Sequence, residues 1–192
     1  METSLSLLER LRQPDGEAWQ RLVALYVPLL RGWLRQHFLQ DADCDDVVQE
    51  VLLRVVQEAP QFRHNRQPGA FRAWLRQMVV NRMREFRRSR PRVPVATGDS
   101  DFQVRLGQLE DAGSQPSRAW DEEHDRHVAN RLLEMIAGDF EPTTWQAFRL
   151  LTVEGRRAAD VAAQLGVSVN AVYIAKSRVM TRLQQELAGL VG

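Results

Sequence analysis

The feature that most constrains the fold is the stretch Phe71–Arg92, which reads FRAWLRQMVVNRMREFRRSRPR. Its apolar residues recur at the spacing of one helix face, namely Phe71, Trp74, Leu75, Met78, Val79, Met83 and Phe86. We therefore predict a helix that packs one side against a core. On the other side, polar residues follow one another at intervals of four, three and four and form one row: Gln77, Asn81, Arg84 and Arg88.

The positive charge of the chain is concentrated in and around this helix. From Arg63 to Arg92 there are ten arginines and one acid, Glu85, whereas the net charge of the whole chain is +1. Many such runs are solvated helix faces and nothing more. Here aromatic residues alternate with the arginines, and the planar guanidinium group suits phosphates and base edges. The stretch favours contact with nucleic acid, with a solvated face as the alternative.

Length and composition set the outer limits of the fold. The chain has 192 residues, enough for one large or two small domains. Its single cysteine, Cys44, excludes an internal disulfide framework, and no segment is apolar enough to span a membrane. The first twenty residues do not resemble a secretory signal. We expect a cytoplasmic protein without membrane insertion.

Helical spacing continues on both sides of this stretch. Glu17–Phe38 and Asp46–Glu58 both carry apolar residues on one face, and the second leaves a polar outer edge made of Asp46, Gln49 and Glu50. After Pro91 the composition changes: residues 93–127 hold eight acids and three arginines among scattered glycines. We predict an all-α chain of two small helical domains, 1–92 and 128–192, joined by a flexible acidic linker over 93–127.

The C-terminal part has the pattern of a helix-turn-helix. A short helix, Ala158–Leu165, precedes Gly166 for the turn, Val167 as an apolar plug and Ser168 as the cap of a final helix. In such motifs the second helix enters the major groove. The candidate DNA contacts are Asn170, Tyr173, Lys176, Ser177 and Arg178 on that helix, with Arg156, Arg157 and Ser168 placed for phosphates. A helical hairpin that docks protein is the alternative.

Taken in order, these segments resemble the bacterial RNA polymerase sigma factors of the extracytoplasmic-function (ECF) type, in the sigma-70 family. DCDDVVQEVLLRV resembles the helix that binds the clamp helices of polymerase, and FRAWLRQMVVNRMREFRRSR resembles the helix that melts and reads the minus-ten element. TWQAFRLLTVEGRRAADVAAQLGVSVNAVYIAKSRV resembles the domain that reads the minus-thirty-five element. The resemblance implies a sigma-2-like helical bundle followed by a sigma-4-like helix-turn-helix.

The resemblance also implies roles for individual residues. The acidic edge of Asp46, Gln49 and Glu50 would face core polymerase. In the arginine helix, Asn81 stands where the family has a polar residue that contacts a flipped promoter base, and Arg84, Arg87 and Arg88 would hold the backbone and the opening strands. Gln77, in the same row, is a further candidate contact to the minus-ten element. An anti-sigma factor is an expected further partner. Two departures prevent transfer of a promoter sequence: the loop from Arg63 to Ala70 is long, and Tyr173 and Ala175 stand where many members have arginine.

Enzyme and metal sites find little support in the sequence. His124 and His127 lie three residues apart and could share a metal, but Cys44 is in another segment and a structural zinc site needs four ligands. A glycine-rich phosphate loop is lacking, so nucleotide hydrolysis by this chain is not expected. We predict no catalytic residue, no metal and no cofactor.

The sequence therefore predicts a sigma factor that binds core polymerase, recognises the minus-ten and minus-thirty-five elements and promotes DNA melting. Two alternatives stay open at this point. One is a helix-turn-helix transcriptional regulator without sigma activity, which needs only the C-terminal domain. The other is an interaction module that sequesters a sigma factor, which would show no salt-sensitive affinity for promoter DNA.

Overall fold

The computed structural model describes residues 7–11, 13, 16–62, 69–89, 98–188 and 190. Throughout these residues the fold is all-α, as predicted, and no strand occurs among them. The predicted loop over 63–68 and the predicted helix end over 90–92 lie outside the described residues. Contacts divide the chain into two compact units, whose main segments are Leu5–Val128, here called the first unit, and Ala129–Ala188, the second unit.

The first unit contains helices α1 to α5 and most of α6. The bounds are α1 Leu7–Arg10, α2 Gly16–His37, α3 Asp41–Glu58, α4 Ala70–Ser89, α5 Gly98–Glu110 and α6 Gln115–Ile136, with a 3-10 turn at Ala59–Gln61. The division between the units falls within α6. Helix α3 begins five residues before the predicted Asp46, so most of the predicted polar break belongs to its first turns.

Helix α3 packs against both α2 and α4, and the apolar faces of all three meet in one core. Aromatic rings link the helices: the ring centroids of Tyr26 and Phe71 lie 5.5 Å apart. Trp120 of α6 meets Trp33 of α2 edge to face, with centroids 4.8 Å apart and planes at 89°. Edge-to-face contacts of this kind add to the stabilisation from burial alone. The core of the first unit therefore includes α6.

The structure corrects the prediction of a flexible linker for residues 98–127. This part forms α5 and the first half of α6, and it buries apolar side chains within the first unit: Phe102, Leu106, Leu109 and Trp120. Its acids are also used, because Asp121 and Asp125 of α6 pair with arginines of α4. An acidic composition was read as solvated chain, whereas here the carboxylates have partners more than forty residues away in sequence.

The second unit holds the end of α6, a 3-10 turn at Ala137–Asp139, and the helices α7 Pro142–Phe148, α8 Ala158–Leu165 and α9 Val169–Leu187. Between α7 and α8, Arg149–Val153 forms a π-helical turn. The core lies among α7, the π-helical turn, α8 and α9 and comprises Ala147, Leu150, Ala158, Val161, Ala162, Val172 and Ala175.

In the part of the chain that the structure describes, no single helix is long and apolar enough to span a membrane. Helices α8 and α9 meet that criterion only as a pair, by length and composition, and they are bent by 102° at the turn between them.

Candidate functional site

Helix α4 presents the predicted polar row on its surface. The row of Gln77, Asn81, Arg84 and Arg88, here called the outer row, is opposite the buried face formed by Phe71, Leu75, Met78, Val79 and Met83. Asn81 and Arg88 are exposed, and Gln77 and Arg84 are half-buried. The side-chain amide of Gln77 donates a hydrogen bond to Asn81 Oδ1 at 3.1 Å. The structure thus brings Gln77, Asn81 and Arg84 together on an accessible surface.

The outer row is not empty, because Glu110 at the end of α5 lies against it. Gln77 Nε2 donates to Glu110 Oε1 at 3.1 Å. Arg84 donates through both terminal nitrogens, Nη1 to Oε1 at 3.1 Å and Nη2 to Oε2 at 2.6 Å. Sequence analysis missed Glu110 as part of this surface. A local signal existed, since Phe102, Leu106 and Leu109 are spaced at four and three residues and predict a helix that packs.

These bonds hold Glu110 in its charged form. The hydrogen bonds from Arg84 and then from Gln77 lower the pKa of Glu110 from 4.5 to about 2. The same pairing raises the pKa of Arg84 above its ordinary value. At neutral pH the guanidinium group of Arg84 therefore already binds the carboxylate of Glu110. The same geometry suits a phosphate.

The other arginines of α4 have different surroundings. Arg72 and Arg76 point to α6, where Arg76 Nη1 lies 2.7 Å from Asp121 Oδ1 and Arg72 pairs with Asp125. Arg82 pairs with Glu50 of α3 and, at 3.3 Å, with Glu85. Arg87 is exposed, with its guanidinium carbon 5.6 Å from the ring centroid of Phe102 in α5. Arg87 and Arg88 thus lie at the solvent, as the prediction of backbone contacts requires.

The two histidines of α6 serve the core of the first unit. His124 is buried; its Nδ1 is 3.0 Å from Asp125 Oδ1, and its Nε2 is 3.2 Å from the hydroxyl of Tyr26. Burial lowers the pKa of His124 and raises the pKa of Tyr26 well above its ordinary value, so both groups are neutral near pH 7. A neutral ring whose Nδ1–H donates to Asp125 accepts a hydrogen bond from the Tyr26 hydroxyl at Nε2.

His127 makes a separate contact, since its Nε2 donates to the backbone oxygen of Leu25 at 2.8 Å. Within the described residues no group of three or more His, Cys, Asp or Glu side chains is placed to hold a metal ion. The geometry assigns both histidines of α6 to the attachment of that helix to α2.

The acidic edge of α3 is exposed at all three predicted positions, Asp46, Gln49 and Glu50. Glu50 also pairs with Arg82, so one of its roles is to hold α3 against α4. Leu53 continues the same face one turn further and is 56% exposed, although it is apolar. Sequence analysis did not include Leu53 in this edge. The edge thus consists of Asp46, Gln49 and the ion-paired Glu50, with the exposed Leu53 beside them.

The second unit contains the predicted helix-turn-helix. Helix α8 ends at Gly166, whose φ of +65° is the left-handed conformation that glycine adopts without strain. Val167 packs against the core, and Ser168 caps α9 by accepting a hydrogen bond from the backbone N–H of Ala171 at 3.1 Å. The angle of 102° between α8 and α9 lies within the range of about 90–120° for DNA-binding motifs of this type.

The predicted contacts lie on the outward side of α9 and in the segments that precede α8 and α9. Every candidate is exposed: Asn170, Tyr173, Lys176, Ser177 and Arg178 on α9, and Arg156, Arg157 and Ser168 before it. Arg156 is partly engaged, since it donates to Gln164 Oε1 at 2.9 Å and lies 3.0 Å from Glu154. Ile174 lies on the same face and is 50% exposed. Apolar groups on a recognition helix can contact thymine methyl groups, so Ile174 joins the candidate contacts.

Comparison with known proteins gives one family match and several relatives. Residues 22–93 match the family Sigma-70 region 2. Over 184 residues the chain is 23% identical to the RNA polymerase sigma factor CarQ of Myxococcus xanthus, covering 95% of this chain and 97% of that protein. Over 92 residues it is 30% identical to the ECF RNA polymerase sigma-E factor of Haemophilus influenzae, covering 48% of this chain and 47% of that protein.

A third relative is the probable RNA polymerase sigma factor RfaY of Xanthomonas campestris pv. campestris. The chain is 27% identical to it over 146 residues, which are 76% of this chain and 34% of that protein. The chain thus matches about a third of one of these relatives, about half of another, and almost all of the third. The region 2 match covers most of α2 and all of α3 and α4, and the last two carry the acidic edge and the outer row.

Proposed function

We propose that the chain is an RNA polymerase sigma factor of the sigma-70 family, which directs core polymerase to promoters and assists DNA opening. The observation that carries the proposal is the outer row of α4. The carboxamides of Gln77 and Asn81 and the guanidinium group of Arg84 lie side by side at the surface of the segment that matches region 2. Unstacked bases need polar groups for their edges and cations for their backbone, and this row supplies both.

In this proposal Asn81 contacts a base of the minus-ten element that has turned out of the stack. Gln77 orients it, because the Gln77 amide holds Asn81 Oδ1 and leaves the Asn81 amino group as the donor that faces solvent. The backbone of the opened strand is held by Arg84, Arg87 and Arg88. Unstacking costs a few kcal/mol, which these contacts and those of polymerase must offset.

Core polymerase binds the acidic edge of α3 in this proposal. The side chains of Asp46 and Gln49 are exposed, and neither has a partner among the described residues. Leu53 lies beside them and adds an apolar contact. An exposed leucine flanked by charged groups is typical of a protein interface, where a small apolar centre is surrounded by polar residues. Glu50 contributes less, since it pairs with Arg82.

The helix-turn-helix of the second unit reads the upstream element in the major groove. Asn170, Tyr173 and Ser177 lie on the outward face of α9, where they can reach base edges, while Lys176 and Arg178 flank them. Arg157 and Ser168 stand at the start of α8 and α9, where they can reach phosphates. We propose that this unit recognises the minus-thirty-five element.

The remaining partners and the location follow from this role. The protein works in the cytoplasm, where the polymerase is, and a protein inhibitor of the anti-sigma class is an expected partner. The chain itself has no catalytic step and uses no metal or cofactor, because nucleotide addition is carried out by the polymerase.

Run-off transcription with purified core polymerase tests this function. A random promoter library is transcribed with core alone and with core plus the full chain, and the enriched templates are sequenced. We expect transcription only when the chain is present, from templates that share two elements. A regulator without sigma activity would give no transcripts with core alone but would alter transcription by a second sigma factor. That outcome would contradict the proposal.

A further inference from the structure

The carboxylate of Glu110 accepts hydrogen bonds from two members of the outer row, Gln77 and Arg84. It accepts one bond from Gln77 and two from Arg84, with distances of 3.1, 3.1 and 2.6 Å. The two oxygens of the carboxylate face the two terminal nitrogens of the guanidinium group, the bidentate geometry that arginine offers to carboxylates and phosphates alike. Asn81 is left exposed beside this pair.

Glu110 is held in place by the helix that ends with it. Helix α5 buries Phe102, Leu106 and Leu109 in the first unit, and Phe102 meets Phe38 of α2 edge to face with ring centroids 5.7 Å apart. Directly after Glu110 the chain turns, and the N–H of Gly113 donates to Asp111 Oδ1 at 2.9 Å. Apolar packing before Glu110 and a turn after it hold the backbone of Glu110 beside the outer row, from which its side chain reaches Gln77 and Arg84.

A carboxylate and a backbone phosphate are competing ligands for this pair of donors. Both are anions with two oxygens at similar spacing, and Arg84 can present its two terminal nitrogens to only one of them at a time. A promoter strand that tracks the outer row toward Arg88 therefore meets an anion already in place. Repulsion between that anion and the incoming phosphate adds to the competition.

We propose that Gln77 and Arg84 form a pocket for one phosphate of the promoter backbone, and that Glu110 fills this pocket in the free chain. DNA binding at the row then requires the Glu110 side chain to leave the pocket. The inference rests on the proposed function. It adds that Gln77 and Arg84 bind a backbone phosphate, and that Glu110 of the same chain inhibits this binding.

The contact between Glu110 and Arg84 is weak enough for a DNA phosphate to displace the carboxylate. The side chains of Arg84 and Glu110 are 34% and 39% exposed, so solvent screens their attraction. Exposed pairs of this kind change an equilibrium by a factor of about two to five. Removal of the carboxylate should therefore raise the affinity for single-stranded DNA by about that factor, without a large change in stability.

Fluorescence anisotropy on the full chain tests the competition. The probe is a labelled single-stranded DNA of about twenty nucleotides and mixed sequence, because phosphate contacts do not depend on sequence. We expect Glu110→Ala to bind it about two- to fivefold more tightly than the unmodified chain at about 50 mM salt. The matched control is Glu122→Ala, which removes the same charge from an exposed side chain without a partner in the described part of the chain.

A second background separates the pocket from general electrostatics. In Arg84→Ala the pocket is lost, so adding Glu110→Ala should then change the affinity no more than Glu122→Ala does. An equal gain with and without Arg84 would overturn the inference, because it would mean that the carboxylate acts only through long-range repulsion. No gain for Glu110→Ala, or no binding by any variant, would overturn it as well.

The outcomes can be told apart from those of the transcription experiment. If the chain supports run-off transcription but Glu110→Ala and Glu122→Ala bind DNA alike, the pocket is refuted and the sigma function stands. If Glu110→Ala gains affinity through Arg84 but no transcription occurs with core polymerase, the phosphate pocket stands and the sigma function is refuted. Circular dichroism of each variant checks that its helical content is retained.

Discussion

Replacing Asp121 with alanine should lower the stability of the first unit by about 2–3 kcal/mol. Only 8% of the Arg76 side chain is exposed, and its Nη1 lies 2.7 Å from Asp121 Oδ1. Removal of one partner from a buried ion pair costs about 3–5 kcal/mol, because the other charge remains buried without it. We expect the smaller value since Asp121 is itself 26% exposed, which gives Arg76 some access to water once the carboxylate is gone.

Urea and thermal unfolding followed by tryptophan fluorescence measure this change. The first unit contains four of the five tryptophans, so the signal reports mainly on it. The expected loss corresponds to a fall in midpoint temperature of about 4–12 °C. The control Glu122→Ala, at the next residue, should stay within about 0.5 kcal/mol of the unmodified chain. Adding Arg76→Met to Asp121→Ala should restore much of the stability, because no unpaired charge is then buried.

Equal stabilities of Asp121→Ala and Glu122→Ala would refute this reasoning. The ion pair with Arg76 would then contribute nothing to holding α6 in the first unit. A loss with Asp121→Ala that Arg76→Met does not restore would also count against it, since the cost would then come from something other than the stranded guanidinium group.

Four further outcomes are expected. Asn81→Ala should reduce promoter opening, measured by permanganate reactivity, by at least about tenfold while leaving affinity for core polymerase unchanged; equal losses in both assays would contradict its role. Asp46→Lys should weaken binding to core polymerase in a pull-down titration, whereas Glu122→Lys should not. Changing Tyr173 or Lys176 to alanine should alter the upstream sequence selected from a random promoter library, and an unaltered sequence would show that these side chains do not read bases. The contribution of Glu110 to stability should be complete above its ordinary pKa of 4.5 and disappear as the pH falls toward about 2, so urea midpoints of the unmodified chain and Glu110→Ala should converge over that interval.

Helical periodicity predicted the fold class and most helix positions. The bounds of α8 and the start of α9 agree with the prediction, and the turn between them has the glycine, the plug and the cap that were expected. These features are local: a glycine in the left-handed conformation and a serine that caps a helix act on neighbours within three residues. The predicted outer row was also local, since it follows from the 3.6-residue period alone.

The packing of residues 98–127 was missed for the opposite reason. Scattered glycines and eight acids indicated a solvated chain, but three of those acids, Glu110, Asp121 and Asp125, have partners on α4, more than twenty residues away in sequence. Composition gives the number of charges and says nothing about which of them meet. The apolar spacing from Phe102 to Leu109 was the one local sign of a packed helix.

The charge of α4 also differs from what its sequence indicates. The described helix has six arginines, and acids from α3, α4, α5 and α6 pair with four of them: Arg72, Arg76, Arg82 and Arg84. A count of arginines therefore overstates the field that an approaching strand meets. Two of these pairs, those of Arg72 and Arg76, fasten α6 to the core and are mostly shielded from solvent. The pair of Arg84 lies at the surface, where its carboxylate can be exchanged for a phosphate. The affinity of this face for DNA thus depends on how much more strongly Arg84 binds a DNA phosphate than it binds the carboxylate of Glu110. Any partner that moves α5 would move Glu110 and change that affinity.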